Sequence, residues 1–352
     1  MSLPPDLPAE SGWVGREAPD ATVLDRLRAH AISAPLVTHL YTADPAAHEF
    51  EGALFVYGSH DIDGGVPFND EGDHFCMDDY HVLRMQAPDQ PAVDCGIALT
   101  LRDVPWAARQ LWAPDAACRD GRYYLYFPAR ARDGLFRIGV AVADGPAGPF
   151  HALPEPMAGT YSIDPAVYVD AGGAYYLYFG GIWGGQLQKY RANRYDATVA
   201  EPTPDQPALG PRVARLADDM TSLAEPVREV VILDARGDPL RAGDHARRYF
   251  EAPWMHRHAG RYYLSWSTGD THFICHAIGD SPYGPFVYAG RVLSPVVGWT
   301  THHSICGYSG QPYLFYHDAL LSGGITHLRS IKMTRLEYDD AGAIATIHPY
   351  GA

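Results

Sequence analysis

A glycine followed by a short aromatic segment recurs five times along this 352-residue chain. Each copy is rich in Tyr, Phe or Trp, which is typical of a β-strand that begins after a tight turn. The opening glycines lie 69, 52, 87 and 50 residues apart. A repeat of about 50 residues with one hairpin per unit is the spacing of propeller blades. The five copies are Gly52–Gly58, Gly121–Phe127, Gly173–Phe179, Gly260–Trp266 and Gly310–Tyr316.

A second repeated motif follows two of these hairpins, at Ala143–Phe150 and Gly279–Phe286. From Leu40 onward the chain consists of short apolar runs broken by Gly, Pro and Asp, which is an all-β pattern. A β-sandwich with similar hairpins is the alternative, but five matched copies favour a five-bladed β-propeller. We expect residues 1–39 to form a leader packed on the propeller and residues 40–352 to form the propeller itself. The stretch 185–245 is expected to be the largest insertion, consisting of loops or of loops with extra strands.

The composition of the chain excludes some classes of binding partner. The chain has 27 Lys and Arg against 42 Asp and Glu, a net charge of −15, which repels nucleic acid and anionic membranes. A small neutral ligand suits this acidic chain better than a nucleic acid or a membrane. Assembly of the chain into a homo-oligomer is compatible with the sequence. Five scattered cysteines without a Cys-x-x-Cys pair indicate reduced thiols rather than zinc or disulfides. The N-terminal residues show no signal peptide, so the expected location is cytoplasmic, although a trimmed sequence would look the same.

A polar residue stands just upstream of each aromatic hairpin. The innermost strand of every propeller blade lines the axial channel, so these residues should converge on one funnel. Several carboxylates brought together repel one another and lose solvation, which folding alone would not favour. The pattern therefore indicates a functional site. The residues in question are Asp44, Asp115, Asp164, Glu251 and the pair His302–His303.

Each residue also has a plain structural explanation. Asp44 and Asp164 both precede Pro, and Asp-Pro is a common turn opener. Glu251 is compatible with a buried strand position paired to an arginine, and His302 with a hydrogen-bonded structural histidine. Their recurrence ahead of successive hairpins makes the functional interpretation the stronger one for the set as a whole.

The ordered set of motifs resembles glycoside hydrolase family 43. The resemblance spans roughly Leu40 to Glu337 and implies a five-bladed propeller with its active site in the axial funnel. It also implies an inverting β-xylosidase, α-L-arabinofuranosidase or arabinanase of xylan degradation. The motifs that carry it are Asp44-Pro45, Tyr57–Asp61, Leu111–Asp115, Ile163-Asp164-Pro165, Glu251-Ala252-Pro253 and His302-His303-Ser304.

The resemblance also implies roles for the carboxylates. An inverting glycosidase uses one ionised carboxylate to activate water and one protonated carboxyl to protonate the leaving oxygen. By position, Asp44 resembles the general base and Glu251 the general acid. Asp164 resembles the third carboxylate, which keeps the acid protonated and oriented. The apolar neighbours of Glu251 in the sequence, Phe250 and Trp254, suit a carboxyl whose pKa is raised.

Supporting residues follow from the same resemblance. Arg329 resembles the family arginine near the sugar and the base, although a surface strand position is the alternative. Trp112 and Trp183 are candidate platforms for sugar stacking or, equally, core residues. Asp115 is expected just outside the site. His302 resembles a histidine beneath the site that, in some members, helps to hold a hydrated calcium ion, so a metal is allowed but not required.

We therefore predict an exo-acting inverting glycosidase on small oligosaccharides, with terminal β-D-xylose favoured and α-L-arabinofuranose second. An endo-acting arabinanase is less favoured, since Gly64–Tyr80 and the stretch 185–245 could wall one end of the funnel. Two further alternatives are a non-catalytic sugar-binding propeller and a retaining enzyme. A retaining enzyme would need carboxyl groups about 5 Å apart.

Overall fold

The computed structural model describes residues 19–351, and these form five β-sheets arranged as the blades of a propeller, which confirms the predicted fold class. Blade 1 contains β1 (Tyr41–Phe50), β2 (Ala53–Asp61), β3 (Asp79–Met85) and β4 (Val93–Thr100). Blade 2 contains β5 (Ala107–Arg109), β6 (Asp115–Arg119), β7 (Arg122–Ala131), β8 (Phe136–Ala143) and β9 (His151–Ala152), and a 3₁₀ turn at Leu101–Asp103 precedes it.

The remaining blades follow in chain order. Blade 3 contains β10 (Ala166–Val169), β11 (Tyr175–Phe179), β14 (Arg212–Arg215) and β15 (Arg228–Glu229). Between β11 and β14 lie 3₁₀ turns at Trp183–Gly185 and Leu187–Lys189 and a small hairpin, β12 (Tyr190–Arg191) and β13 (Arg194–Tyr195). Blade 4 contains β16 (Ile232–Leu233), β17 (Glu251–His258), β18 (Arg261–Ser267), β19 (Ile274–Gly279) and β20 (Phe286–Leu293). Blade 5 contains β21 (His303–Tyr308), β22 (Gln311–Asp318) and β23 (Ser330–Arg335).

The innermost strands β1, β6, β10, β17 and β21 contact one another in turn, and β21 closes the ring on β1. Every residue that leads a repeat in the sequence therefore lies in, or just before, the first half of a strand on the axis. No helix among residues 19–351 is long and apolar enough to cross a membrane.

The repeated tyrosine of the hairpins joins neighbouring blades. Tyr57 of blade 1 donates a hydrogen bond to the carbonyl of Pro146 in blade 2, at 2.6 Å. The equivalent Tyr178 of blade 3 donates to the carbonyl of Pro282 in blade 4. Both acceptors belong to the second repeated motif, at Ala143–Phe150 and Gly279–Phe286. The repeat is therefore a packing requirement: each buried Tyr needs a partner for its hydroxyl, and the turn of the next blade supplies it.

The leader is described from residue 19 onward, so residues 1–18 of the predicted 1–39 segment lie outside the described residues. Helix α1 (Ala21–His30) begins at the N-cap Asp20, whose carboxylate accepts from the Val23 amide at 3.1 Å. The buried face of α1, Leu24 and Leu27, packs near the end of the chain on a cluster that includes Tyr350.

The stretch 185–245 contains strands as well as loops, the second of the two forms expected for it. It supplies β14 and β15, the outer strands of blade 3, and β16, which pairs in parallel with β20 of blade 4. These strands are only two to four residues long. Such short strands cannot show an alternating pattern in the sequence, and for this reason they resembled a loop.

Candidate active site

Three residues just before the aromatic hairpins share an unusual backbone conformation. Asp44, Asp164 and Ala252 adopt positive φ angles of 54°, 56° and 57°, and each is followed by Pro. Positive φ is uncommon for residues other than Gly and marks a strained turn, which clusters at functional sites. In β1 and β17 the pairing register shifts across this turn. The turn directs the neighbouring side chains into the channel.

The strand registers show which residues are equivalent. Ala46, Ala166, Trp254 and Ser304 each pair with the fifth residue after the glycine of their hairpin. Counting back two residues gives Asp44, Asp164, Ala252 and His302. Glu251 stands one residue earlier than these. Asp44, Asp164 and His302 are thus true positional equivalents, whereas Glu251 enters the site from the other side of the turn.

These residues line a cavity of about 670 Å³, a volume that includes the solvent at its mouth. The cavity wall includes all three predicted catalytic carboxylates, together with Arg329, His302, Trp112 and Trp183. The structure therefore brings seven of the eight predicted site residues to one place. The eighth, Asp115, does not line the cavity.

Asp44 is held as an anion. Its carboxylate accepts hydrogen bonds from Ser59 Oγ at 2.7 Å and from Arg329 Nη1 at 2.8 Å. Burial alone would raise the pKa of Asp44, but the Arg329 charge and the Ser59 hydrogen bond outweigh it and lower this pKa from 3.8 to about 2. At neutral pH Asp44 is a buried carboxylate with a free face toward the cavity.

Arg329 is itself fixed by a second carboxylate, Asp61. Its Nε and Nη2 donate to the two oxygens of Asp61 at 2.8 and 2.7 Å, and its amide donates to Asp61 at 2.9 Å. The guanidinium group also stacks over the Phe75 ring, 4.8 Å from its centroid. A bidentate pair of this kind sets the direction of the third nitrogen, which points at Asp44.

The pKa values of Glu251 and Asp164 are shifted in the direction opposite to that of Asp44. Burial raises the pKa of Glu251 well above its ordinary value of 4.5, and the charges of Asp164 and Asp44 raise it further. Burial and the charge of Asp44 also raise the pKa of Asp164. The two carboxyls titrate as a pair, so a proton stays between them at pH values where an isolated carboxyl has lost it.

The surroundings of Glu251 leave its proton available. Within residues 19–351 no hydrogen bond engages its carboxyl group, which is enclosed by protein on all sides except a partly exposed edge at the cavity. Phe250 also lines the wall. Gly181 packs so closely that a Cβ there would lie 3.0 Å from the Glu251 Cβ and 2.7 Å from Ile163. Only glycine fits at this contact.

His302 and His317 are neutral imidazoles close to Asp44. Burial lowers the pKa of His302 to about 4 and that of His317 to about 3. His317 Nδ1 accepts from the Asp44 amide at 3.0 Å, so its proton is on Nε2, which faces the Thr300 carbonyl at 3.0 Å. His302 Nδ1 is buried and has no hydrogen-bond partner within residues 19–351.

The unpaired His302 Nδ1 fits a hydrated cation better than a cation held by a full set of protein ligands. Asp115, a candidate oxygen donor at the start of the innermost strand of blade 2, is already engaged. Its Oδ1 bonds to His48 Nε2 at 2.6 Å and its Oδ2 accepts from the Val167 amide. Asp115 thus ties blades 1, 2 and 3 together, just outside the cavity. An ion at His302 would take one protein nitrogen and otherwise water.

The aromatic wall is larger than the sequence predicted. Trp112 is mostly buried, with its Nε1 donating to the Phe75 carbonyl at 3.0 Å and its ring against Phe136. Trp183 is half-buried and lies 5.9 Å from Trp299, centroid to centroid. Phe68 and Phe75 come from the stretch 64–80, which forms one wall as predicted. Beyond Gly185, the stretch 185–245 does not line the cavity.

Sequence reasoning missed Ser59, Asp61, His317 and Trp299. The segment Ser59-His60-Asp61 did carry a signal, because alternate strand residues share a face. Ser59 and Asp61 point to the channel, whereas His60 points away and bonds to Asp79. His317 and Trp299 stand outside the repeated motifs, and no spacing marks them.

Comparison with known proteins identifies the family of the chain. Residues 96–344 match the model of Glycosyl hydrolases family 43. The chain is 56% identical to "Xylosidase/arabinosidase 43A" of Humicola insolens over 325 residues, covering 90% of this chain and 99% of that protein.

Solved structures give the same result. A GH43_1 enzyme from Xanthomonas citri complexed with xylotriose has a TM-score of 0.91 at 66% identity, covering 94% of this chain and 98% of that one. CoXyl43, a GH43 β-xylosidase/α-arabinofuranosidase from a compost metagenome, solved with xylotriose in a calcium-free form, has a TM-score of 0.89 at 58% identity. It covers 92% of this chain and 98% of that one. The chain is a glycoside hydrolase and belongs to glycosyl hydrolases family 43.

Proposed function

We propose that this enzyme removes terminal β-D-xylosyl residues from xylan-derived oligosaccharides with inversion at the anomeric carbon, and accepts α-L-arabinofuranosyl groups as a second substrate. The observation that carries the proposal is that one cavity holds an anionic carboxylate, Asp44, together with two carboxyls of raised pKa, Glu251 and Asp164, which keep a proton between them. The names of the similar proteins, xylosidase/arabinosidase and β-xylosidase, support the choice of sugars.

Asp44 serves as the general base. A carboxylate that stays ionised over the working pH range can accept a proton from water as that water attacks the anomeric carbon. Arg329 holds one oxygen of Asp44, and Ser59 holds the other. These contacts fix the carboxylate in the channel and leave its remaining lone pairs for the water.

Glu251 serves as the general acid. The departing glycosidic oxygen needs a proton as the bond breaks, and a carboxyl with a raised pKa still carries one at neutral pH. Asp164 supports this role by its like charge, and it is oriented by the Ala252 amide, which donates to it at 2.8 Å. The protein thus lowers the pKa of the base, Asp44, and raises the pKa of the acid, Glu251.

The shape of the cavity favours a chain end over the middle of a polymer. The stretch 64–80 forms one wall with Phe68, His74 and Phe75, and Trp183 with Trp299 forms another. A closed funnel of this kind suits an exo-acting enzyme on short oligosaccharides, whereas an endo-acting arabinanase needs an open groove. The aromatic faces provide stacking surfaces for the sugar rings.

The chemistry needs no cofactor in this proposal, because acid and base are both side chains. A hydrated calcium ion held through His302 would supply positive charge beneath the sugar and close to Asp44. The residues of this chain carry the proton transfers with or without it.

The test is hydrolysis of aryl β-D-xyloside and aryl α-L-arabinofuranoside, with proton NMR of the first-formed sugar. We expect turnover of both, faster on the xyloside, and α-xylose as the initial product. Asp44→Asn, which keeps the side-chain size, is the matched inactive control. Initial release of β-xylose would contradict inversion, and absence of turnover on both substrates would contradict the proposed sugars.

A further inference from the structure

A cluster of histidines and aspartates on blade 1 lies outside the catalytic cavity and takes no part in the chemistry above. His60, at the end of β2, and Asp79 and His81, at the start of β3, place three ligand atoms within 4.8 Å of one another. Within residues 19–351 this is the one group of three or more His, Cys, Asp or Glu with that geometry. The side chains of His60 and Asp79 are 25% and 19% exposed, so solvent reaches the cluster.

The three ligand atoms lie close to one another. His60 Nδ1 lies 2.8 Å from Asp79 Oδ1, and His81 Nε2 lies 3.7 Å from the same oxygen. The two imidazole rings stand at 67° to each other with centroids 5.0 Å apart. Ligands on a tetrahedral zinc ion, with bonds of about 2.0–2.1 Å, are separated by roughly 3.3 Å. The two distances from Asp79 Oδ1, 2.8 and 3.7 Å, fall on either side of that value.

A second carboxylate orients His81. Asp94 Oδ1 lies 2.9 Å from His81 Nδ1 and also accepts from the Gly96 amide at 2.8 Å. Because an ionised carboxylate only accepts, His81 Nδ1 carries a proton, and the neutral form of the ring has its lone pair on Nε2, the nitrogen on the side of Asp79. A carboxylate behind a histidine in this way is the usual outer shell of a metal-ligating imidazole.

We propose that His60 Nδ1, Asp79 and His81 Nε2 bind a divalent transition-metal ion, with Zn²⁺ as the best fit and water in the fourth position. Two imidazoles and one carboxylate are borderline ligands that favour zinc over calcium or magnesium. The chain's net charge of −15 favours cation binding. Binding displaces the proton of His60 that otherwise bonds to Asp79.

The location gives the ion a structural role. Asp79 follows the stretch 64–78, which provides Phe68, His74 and Phe75 to the cavity wall, and His60 precedes Asp61, which fixes Arg329. A metal bridging β2 and β3 would join the base of that wall to the strand that positions the arginine. The site is separate from any cation at His302, which lies in the axial channel.

The test uses the full chain freed of metal with EDTA and titrated with Co²⁺, followed by visible d–d absorption and by metal content after dialysis. We expect one equivalent with the strong absorption of a four-coordinate site, displaced by Zn²⁺. His60→Gln and His81→Gln should each abolish this signal. Asp94→Asn should weaken binding by roughly 10–100-fold, the usual effect of removing an outer-shell partner.

Three controls separate this site from other sources of metal binding. His302→Gln, in the channel, and His39→Gln, which bonds only to the other oxygen of Asp94, should both retain the signal. Cys95→Ser addresses the exposed thiol nearby. Thermal midpoints in EDTA should show that each variant is folded. A cobalt signal that survives both His60→Gln and His81→Gln, or that is lost in His302→Gln or Cys95→Ser, would overturn the proposal, as would the absence of a signal in the wild type.

Discussion

The peptide N–H of Ala252 donates a hydrogen bond to Oδ2 of Asp164 at 2.8 Å, and this peptide directly follows Glu251. Ala252 itself adopts a positive φ of 57°. The bond fixes the Asp164 carboxyl beside the general acid without neutralising it. Position and charge of Asp164 can therefore be separated by substitution.

Asp164→Asn should move the alkaline limb of the kcat/KM profile to lower pH. The amide oxygen can still accept from Ala252, but the like charge that raises the pKa of Glu251 is gone. Glu251 then loses its proton earlier as the pH rises, and activity at neutral pH should fall by about 10-fold or more. The measurement is kcat/KM from pH 4 to 9 on an aryl xyloside.

Asp164→Ala serves as the comparison variant, because it removes the acceptor as well as the charge. We expect the same shift of the alkaline limb and a further loss that does not depend on pH. An alkaline limb that stays in place in both variants would show that Asp164 does not set the protonation of Glu251.

Glu251→Gln should depend strongly on the leaving group. A good leaving group such as dinitrophenol departs with little protonation, so the loss of the acid matters less. On xylobiose we expect a loss of about 10²–10⁴-fold, the usual contribution of a general acid. On the dinitrophenyl xyloside the loss should be much smaller. Asp44→Asn is the matched comparison and should slow both substrates alike, since each needs an activated water. Equal losses on both substrates for Glu251→Gln would show that the roles are assigned wrongly.

The sequence predicted the carboxylates because they belong to a repeat. Asp44 and Asp164 occupy one blade position, and Glu251 is a single residue away, so five similar hairpins were enough to bring them together. The Arg329 partnership with Asp61 could not be predicted, because the two residues are 268 positions apart and meet through side-chain directions that no motif encodes. Trp299 lies in an irregular segment before β21, where neither periodicity nor a repeat position marks a residue as facing the cavity.

The ion pair between Arg329 and Asp61 should couple strongly in a double-mutant cycle. Both side chains are buried, and Arg329→Met leaves Asp61 and Asp44 without their counter-charge. We expect the unfolding free energy to fall by about 3–5 kcal/mol, as for other broken buried pairs. Arg329→Met combined with Asp61→Asn should recover part of this loss. Urea unfolding of the wild type, both single variants and the double variant measures the coupling. Additive losses would show that the two groups do not interact in the folded protein.

Glu251→Gln should also stabilise the fold, and increasingly so as the pH rises. A carboxyl whose pKa is higher in the folded protein than in the unfolded chain binds more protons when folded, so it lowers stability above its ordinary pKa of 4.5. Gln carries no proton to lose, and the variant escapes this cost. We expect equal stability near pH 4 and a gain of about 0.5–2 kcal/mol at pH 8, in the range usual for relieving a functional site. Glu155→Gln, at an exposed position, is the matched control and should show no such trend. A difference between Glu251→Gln and wild type that stays constant from pH 4 to 8 would mean that Glu251 is not held protonated by the fold.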